Sequence, residues 1–236
     1  MGVAVTLAGR ITAIVTQERN SQRANVFVDG QFAFGLQMIE AAKLFKGQFL
    51  SDEDIAHLLG VDEQERAHEQ ALRFLSFRPR SEMELTRHLR QHGFSEAAIQ
   101  AESERLSRAG FVDDQAFAQY WVSNRDQFRP RGQSALRHEL RQKGVADGTI
   151  DTILKDSDES GKAYQVALER LARWQRANSA LSMSAATLRR KLTDHLLRRG
   201  FGYQVIRETW ERLHSEGLLD NVEGEDTKSW EPSGSC

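Results

Sequence analysis

Apolar and polar residues alternate one by one through RITAIVTQ (10–17), ANVFVD (24–29) and QFAFGL (31–36), a period of two that predicts three strands of a small antiparallel sheet. Asp29-Gly30 between the last two runs is a short hairpin signal. The spacing then becomes helical in MIEAAKLFKGQFLSDEDIAHLL (38–59), with Lys46-Gly47 as a stop and Ser51 with Asp54 in the positions of a capping box. A hairpin this small is marginal alone and is expected to dock against helices. From about residue 63 onward every local signal is helical, and the pattern predicts helices near 63–76, 82–92 and 95–109.

The helical region is written more than once. FRPRSEMELTRHLRQHGF (77–94) returns 51 residues later as FRPRGQSALRHELRQKGV (128–145), sharing Phe77/Phe128, Arg78/Arg129, Pro79/Pro130, Arg80/Arg131, Leu85/Leu136, Leu89/Leu140, Arg90/Arg141 and Gly93/Gly144. A third copy in LRRKLTDHLLRRGFGYQVIRETWERLHSEG (188–217) keeps Leu192, Leu196, Gly200 and Ile206 in phase but lacks the Arg-Pro-Arg turn. The expected architecture is mainly α, three tandem three-helix repeats in an elongated array with an N-terminal β extension, because one such unit buries its apolar face poorly and stacked copies share a core. The boundaries that follow are 1–50 for the β extension, 51–62 for an acidic connecting helix, 63–110, 111–157 and 158–217 for the repeats, and 218–236 for a disordered acidic tail.

The net charge of −2 conceals segregation: residues 51–69 carry −6, 70–150 carry +3, 161–215 carry +7 and 216–236 carry −5. Basic helices between acidic flanks suggest a surface that meets a polyanion. The cations are mostly arginine, namely Arg78, Arg80, Arg125, Arg129, Arg131, Arg141 and Lys143 in the first two repeats, with Arg198 and Arg199 in the third. A guanidinium fork suits carboxylate and phosphate alike, so an acidic protein partner and DNA both remain open. Trp121 is either a core residue or a stacking platform, whereas Tyr120, Trp174 and Trp210 sit at core spacing.

Catalytic signatures do not appear: there is no phosphate loop, dinucleotide fingerprint, nucleophile elbow or metalloprotease pattern. Asp113 and Asp114 could attract magnesium, but directly before an apolar helix they read as a cap. His88 and His92, four apart, have no third metal ligand in register, and no metal or cofactor is expected. With one cysteine, Cys236, there is no internal disulfide, and no apolar run reaches membrane length. A cytoplasmic protein, monomeric and without enzymatic activity, is the expectation.

The joint AGFVDDQAFAQYW (109–121), the repeated leucine and glycine spacing and RPRGQSALRHELRQKGV together resemble the RecX family, regulators of the RecA recombinase, over roughly residues 10–216. Asp113, Asp114, Phe117, Ala118 and Trp121 match the family's joint, and Arg131, Gly132, Leu140 and Gly144 its second repeat. Asp113, Asp114, Phe117, Leu140 and Gly144 read as mainly structural. The resemblance implies a non-enzymatic protein that lies along the RecA filament on single-stranded DNA, suppresses ATP hydrolysis, filament growth, strand exchange and coprotease function, and binds DNA weakly. Contact is expected from the arginines named above, with Lys143 and Trp121. The competing expectation is an architectural DNA-binding protein that acts by occupying DNA.

Overall fold

The computed structural model describes residues 8–177 and 184–219. It divides into two compact units, Met1–Val112 and Asp113–Cys236; the acidic tail beyond residue 219 lies outside the described residues.

In the first unit, β1 (Gly9–Gln17), β2 (Asn20–Val28), β3 (Gln31–Gln37) and β4 (Phe49–Leu50) form one antiparallel sheet in the order β3-β2-β1-β4. Alternation places Ile11, Val26, Val28, Phe34 and Leu36 on one buried face, and Asp29 and Gly30 turn the hairpin with φ of 49° and 84°. The helical stretch expected from residue 38 is short: α1 is Met38–Ala41. Gly47 at φ 90° then turns the chain, donating its N–H to the Ile11 carbonyl at 2.7 Å, so that Phe49–Leu50 add a fourth strand against Gly9 and Arg10. Sheet pairing therefore overrides helical spacing here.

Helix α2 (Asp52–Leu75) starts on the expected capping box, in which Ser51 Oγ accepts from the Asp54 N–H and Asp54 accepts from the Ser51 N–H. It runs unbroken through residues 62 and 63, joining the acidic segment to the first repeat. Its buried Asp62 docks the sheet: one carboxylate oxygen accepts from the Gln37 N–H and the other from Arg23, each at 3.0 Å. A carboxylate only 4% exposed needs both partners, and it has them.

Three helical triplets follow one plan. The C-terminal half of α2 packs with α3 (Glu82–Gln91) and α4 (Glu96–Arg108), α5 (Asp114–Phe128) with α6 (Gln133–Gln142) and α7 (Asp147–Leu154), and α8 (Glu159–Arg176) with α9 (Ala185–Arg198) and α10 (Tyr203–Ser215). Leu85/Leu136/Leu192, Leu89/Leu140/Leu196 and Ile99/Ile150/Ile206 are all buried, so each triplet closes around the same three positions. Gly93, Gly144 and Gly200 end the second helix at φ between 81° and 85°, where a side chain would be strained. Asp113 caps α5 by accepting from the N–H groups of Gln115 and Ala116 at 2.8 and 3.1 Å, while Asp114 begins the helix and Phe117 is fully buried.

Within the second unit the last two triplets meet through backbone. The Gly132 N–H donates to the Arg199 carbonyl at 2.9 Å, and a Cβ on Gly132 would lie well inside van der Waals contact with the Gly200 carbonyl. Glycine at 132, where the first repeat has Ser81, is what permits this approach. Gly132→Ala is expected to lower stability by about 1–3 kcal/mol in chemical denaturation, whereas Gly60→Ala, in open space mid-way along α2, should raise it by about 0.5–1 kcal/mol.

Candidate functional site

The FRPR turns expose what a core would hide. Phe77 and Phe128 are 79% and 68% exposed, at equivalent positions, each followed by an arginine. Helix α2 ends at Leu75 and α5 at Phe128; proline then fixes an extended link into the next helix. Burial does not account for two large apolar rings held in water at the same register.

The arginines divide by what they hold. In the first repeat Arg78 forks onto Glu84, with both N–H···O distances at 3.0 Å, while Ser81 caps α3 by accepting from the Glu84 N–H. Glu84 thus serves as the counter-ion of Arg78. Arg80 lies 4.0 Å over Phe74, which stacks on His88 at 3.9 Å with a 6° interplanar angle. His88 also meets Gln70 at 3.0 Å, and His92 Nδ1 is 2.8 Å from the His88 carbonyl, which gives this histidine pair a packing role. Burial first, then His92 and Arg80, hold the His88 pKa below its usual value.

The second repeat centres on Glu139. One oxygen accepts from Trp121 Nε1 and Arg125 Nε, each at 2.8 Å, and the other lies 3.0 Å from Arg131. Arg125 and Lys143 lie over the Trp121 ring at 4.4 and 5.1 Å. Three sequence-predicted contact residues, Trp121, Arg125 and Arg131, are therefore brought together by one acid that the sequence pattern did not mark, and Lys143 joins them through the Trp121 ring. Arg141 binds Asp147 at 2.6 Å, and its repeat-one equivalent Arg90 binds Glu96 at 2.6 and 2.7 Å, each bridging the second helix to the first turn of the third. That repeated arginine is explained by helix joining. Among the described residues, Arg129 and Arg198 are exposed and carry no ion pair.

In the third repeat the position of His88 and Glu139 is occupied by His195, and that of His92 and Lys143 by Arg199. Arg199 donates to the Pro130 carbonyl at 3.1 Å, which places it beside Arg129 and Arg131. Burial, then the charge of Arg131, pull the Arg199 pKa down, with Glu169 opposing. His195 is pushed to about 4 by burial and then by Arg199, Arg170, Arg198 and Arg173. Trp174 and Trp210 are buried, as their spacing predicts, whereas Tyr120, at the same kind of spacing, is exposed. Phe77 and Phe128 were visible in the sequence as part of the repeat; Glu139, His195, Arg170 and Arg173 carried no signal until the helices were packed.

Three family models match: the N-terminal domain of regulatory protein RecX over residues 9–51, the first RecX three-helix domain over 67–106 and the second over 113–154. Regulatory protein RecX of Bacillus subtilis is 31% identical over 215 residues, 89% of this chain and 79% of that one. The same-named protein of Chlorobium phaeobacteroides is 35% identical over 151 residues, 64% of this chain and 95% of that one. A crystal structure of regulatory protein RecX superposes with a TM-score of 0.64 at 25% identity, covering 87% of this chain and all of the other.

Two outcomes test the electrostatics of these clusters. Glu139→Ala leaves Trp121 Nε1 and two guanidiniums without their acceptor and should cost about 1–3 kcal/mol in denaturant unfolding. His195 is harder to protonate in the folded chain than in the unfolded one, so the stability it contributes is complete above about pH 6.5 and is lost as pH falls towards 4. Compared with His195→Gln, the wild-type chain should lose about 1–2 kcal/mol more across that window, a figure discounted for the solvent that reaches the ring.

Proposed function

The chain belongs to the RecX family, and from that premise we propose that it binds RecA and its filament on single-stranded DNA. There it suppresses ATP hydrolysis, filament extension, strand exchange and coprotease activity, and so tempers recombination, repair and the SOS response in the cytoplasm. It acts by occupancy, without chemistry of its own, as a regulator bearing the family's three-helix domains.

One observation carries the reading: the Phe-Arg-Pro-Arg turn is presented twice, with Phe77 and Phe128 in solvent and Arg129 without an ion pair among the described residues. An apolar ring beside a guanidinium fits a protein surface that offers a hydrophobic cleft rimmed by carboxylates. Arg78, Arg80, Arg125 and Arg131 act in this reading mainly by shaping the turns, since each is already engaged by Glu84, Phe74 or Glu139. Among the described residues no helix is long and apolar enough to cross a membrane.

The competing mechanism, occupation of DNA, separates from this one by stoichiometry. ATP hydrolysis by RecA on single-stranded DNA should fall at substoichiometric amounts of this protein, in a buffer where it binds bare DNA weakly. Phe128→Ala with Arg129→Glu should raise the amount needed by about tenfold, equivalent to about 1.4 kcal/mol, with an unchanged thermal melt. Unaltered inhibition by the folded variant would remove the turn from the interface, and inhibition only at DNA-saturating amounts would favour DNA occupancy.

A further inference from the structure

Where β2, α2 and the link from α3 to α4 meet, the first unit forms a cavity of about 480 Å³, a volume within the range of small-molecule sites. Arg23 from β2, Arg66 and Arg73 from α2 and His92 at the end of α3 line it, and Glu69 is the acid among the lining residues. These cations are short of partners. Arg23 is held by Asp62 at 3.0 Å, and Arg66, 53% exposed, reaches that same oxygen only at 3.9 Å. Arg73 carries no ion pair among the described residues, and Glu69 already accepts from Gln37 at 2.9 Å. His92 donates through Nδ1 to the His88 carbonyl at 2.8 Å, so Nε2 is its remaining nitrogen.

The cavity is not lined by charge alone. Phe94 forms part of its wall, with the Arg66 guanidinium 5.8 Å from the ring centre. Gln70 stands between Arg66 and Arg73 on α2; its amide nitrogen meets His88 at 3.0 Å, which leaves its oxygen to accept. Seven positions, close to two helical turns, separate Arg66 from Arg73, so their backbones lie about 10 Å apart on one face. A ligand that meets both arginines is elongated, with an aromatic part beside Arg66 and its charge extended towards Arg73.

We propose that this cavity binds a nucleoside di- or triphosphate, its base against Phe94 and Gln70 and its terminal phosphate on Arg73. A terminal phosphate carries close to two charges and three acceptor oxygens, enough for more than one donor. A carboxylate brings a single charge and two oxygens, and a phosphodiester within a strand likewise a single charge. Exocyclic amino groups of a base suit the Gln70 oxygen and Glu69, neither of which would welcome a second anion.

The inference concerns the first unit alone and does not depend on filament recognition. Isothermal titration calorimetry on the full chain, without RecA or DNA, measures binding of ATP, pyrophosphate, adenosine and citrate. ATP should bind at one site and severalfold more tightly than any of the other three. Arg66→Gln and Arg73→Gln should each weaken ATP binding by about tenfold, as loss of a charge-assisted hydrogen bond does. Both side chains are exposed, so the variants should keep the wild-type thermal melt. Phe94→Leu should weaken ATP and leave pyrophosphate unchanged. Failure of ATP to bind at millimolar concentration, or binding untouched in folded Arg66→Gln and Arg73→Gln, would overturn the site. Pyrophosphate as tight as ATP would overturn the nucleoside, and citrate as tight would overturn phosphate. Displacement of ATP by oligo-dT at equal phosphate concentration would overturn a site separate from the DNA contact. A chain that ignores ATP in calorimetry yet inhibits RecA would remove this inference and leave the proposed function standing; the converse would do the opposite.

Discussion

Burial of two leucines one helical turn apart is the constraint on which the helical part of the molecule rests. Leu85 and Leu89, Leu136 and Leu140, and Leu192 and Leu196 are fully or almost fully excluded from water, each pair facing an isoleucine one helix further on. Removing any one of these side chains from water contributes roughly 1.5–3 kcal/mol. Because side chains three or four apart share a helix face, fixing the leucines also fixes what lies beside and opposite them. The second helix then has no freedom to rotate its arginines inward.

From that constraint follows the position that differs most between copies. His88, Glu139 and His195 sit one residue before the second core leucine, at the seam with the first helix of the triplet. In one copy the seam holds a stacked histidine and phenylalanine, in the next a carboxylate that gathers two arginines and a tryptophan, and in the third a neutral histidine among cations. A single scaffold position therefore sets the local field, and each triplet presents a different electrostatic face over the same core. Divergence at such a seam leaves the leucines beside it buried in every copy.

The joining of the last two triplets shows a second use of the repeat. Gly132 and Gly200 lie in the turns that begin one second helix and end the next, and the two touch backbone to backbone. Contact at that distance leaves no room for a side chain, and it carries Arg199 up against the Arg-Pro-Arg turn. The basic cluster is thus a by-product of packing two turns that individually serve only to begin or end a helix.

Much of this was legible in the letters. The period-two runs marked three strands, the Asp29-Gly30 turn and the Ser51–Asp54 cap were readable as chemistry, and the leucine and glycine register placed the three triplets and their cores. Such features depend on residues close in sequence or on a repeated spacing, so one dimension suffices to see them. Strand β4, the docking of Asp62 under the sheet, the capture of Arg125 and Arg131 by Glu139, and the gathering of arginines around His195 were decided only in the tertiary structure. Each joins groups distant along the chain, and a charge has no fixed meaning until its neighbours are known: an arginine is a counter-ion beside a carboxylate and a repelling charge beside another arginine.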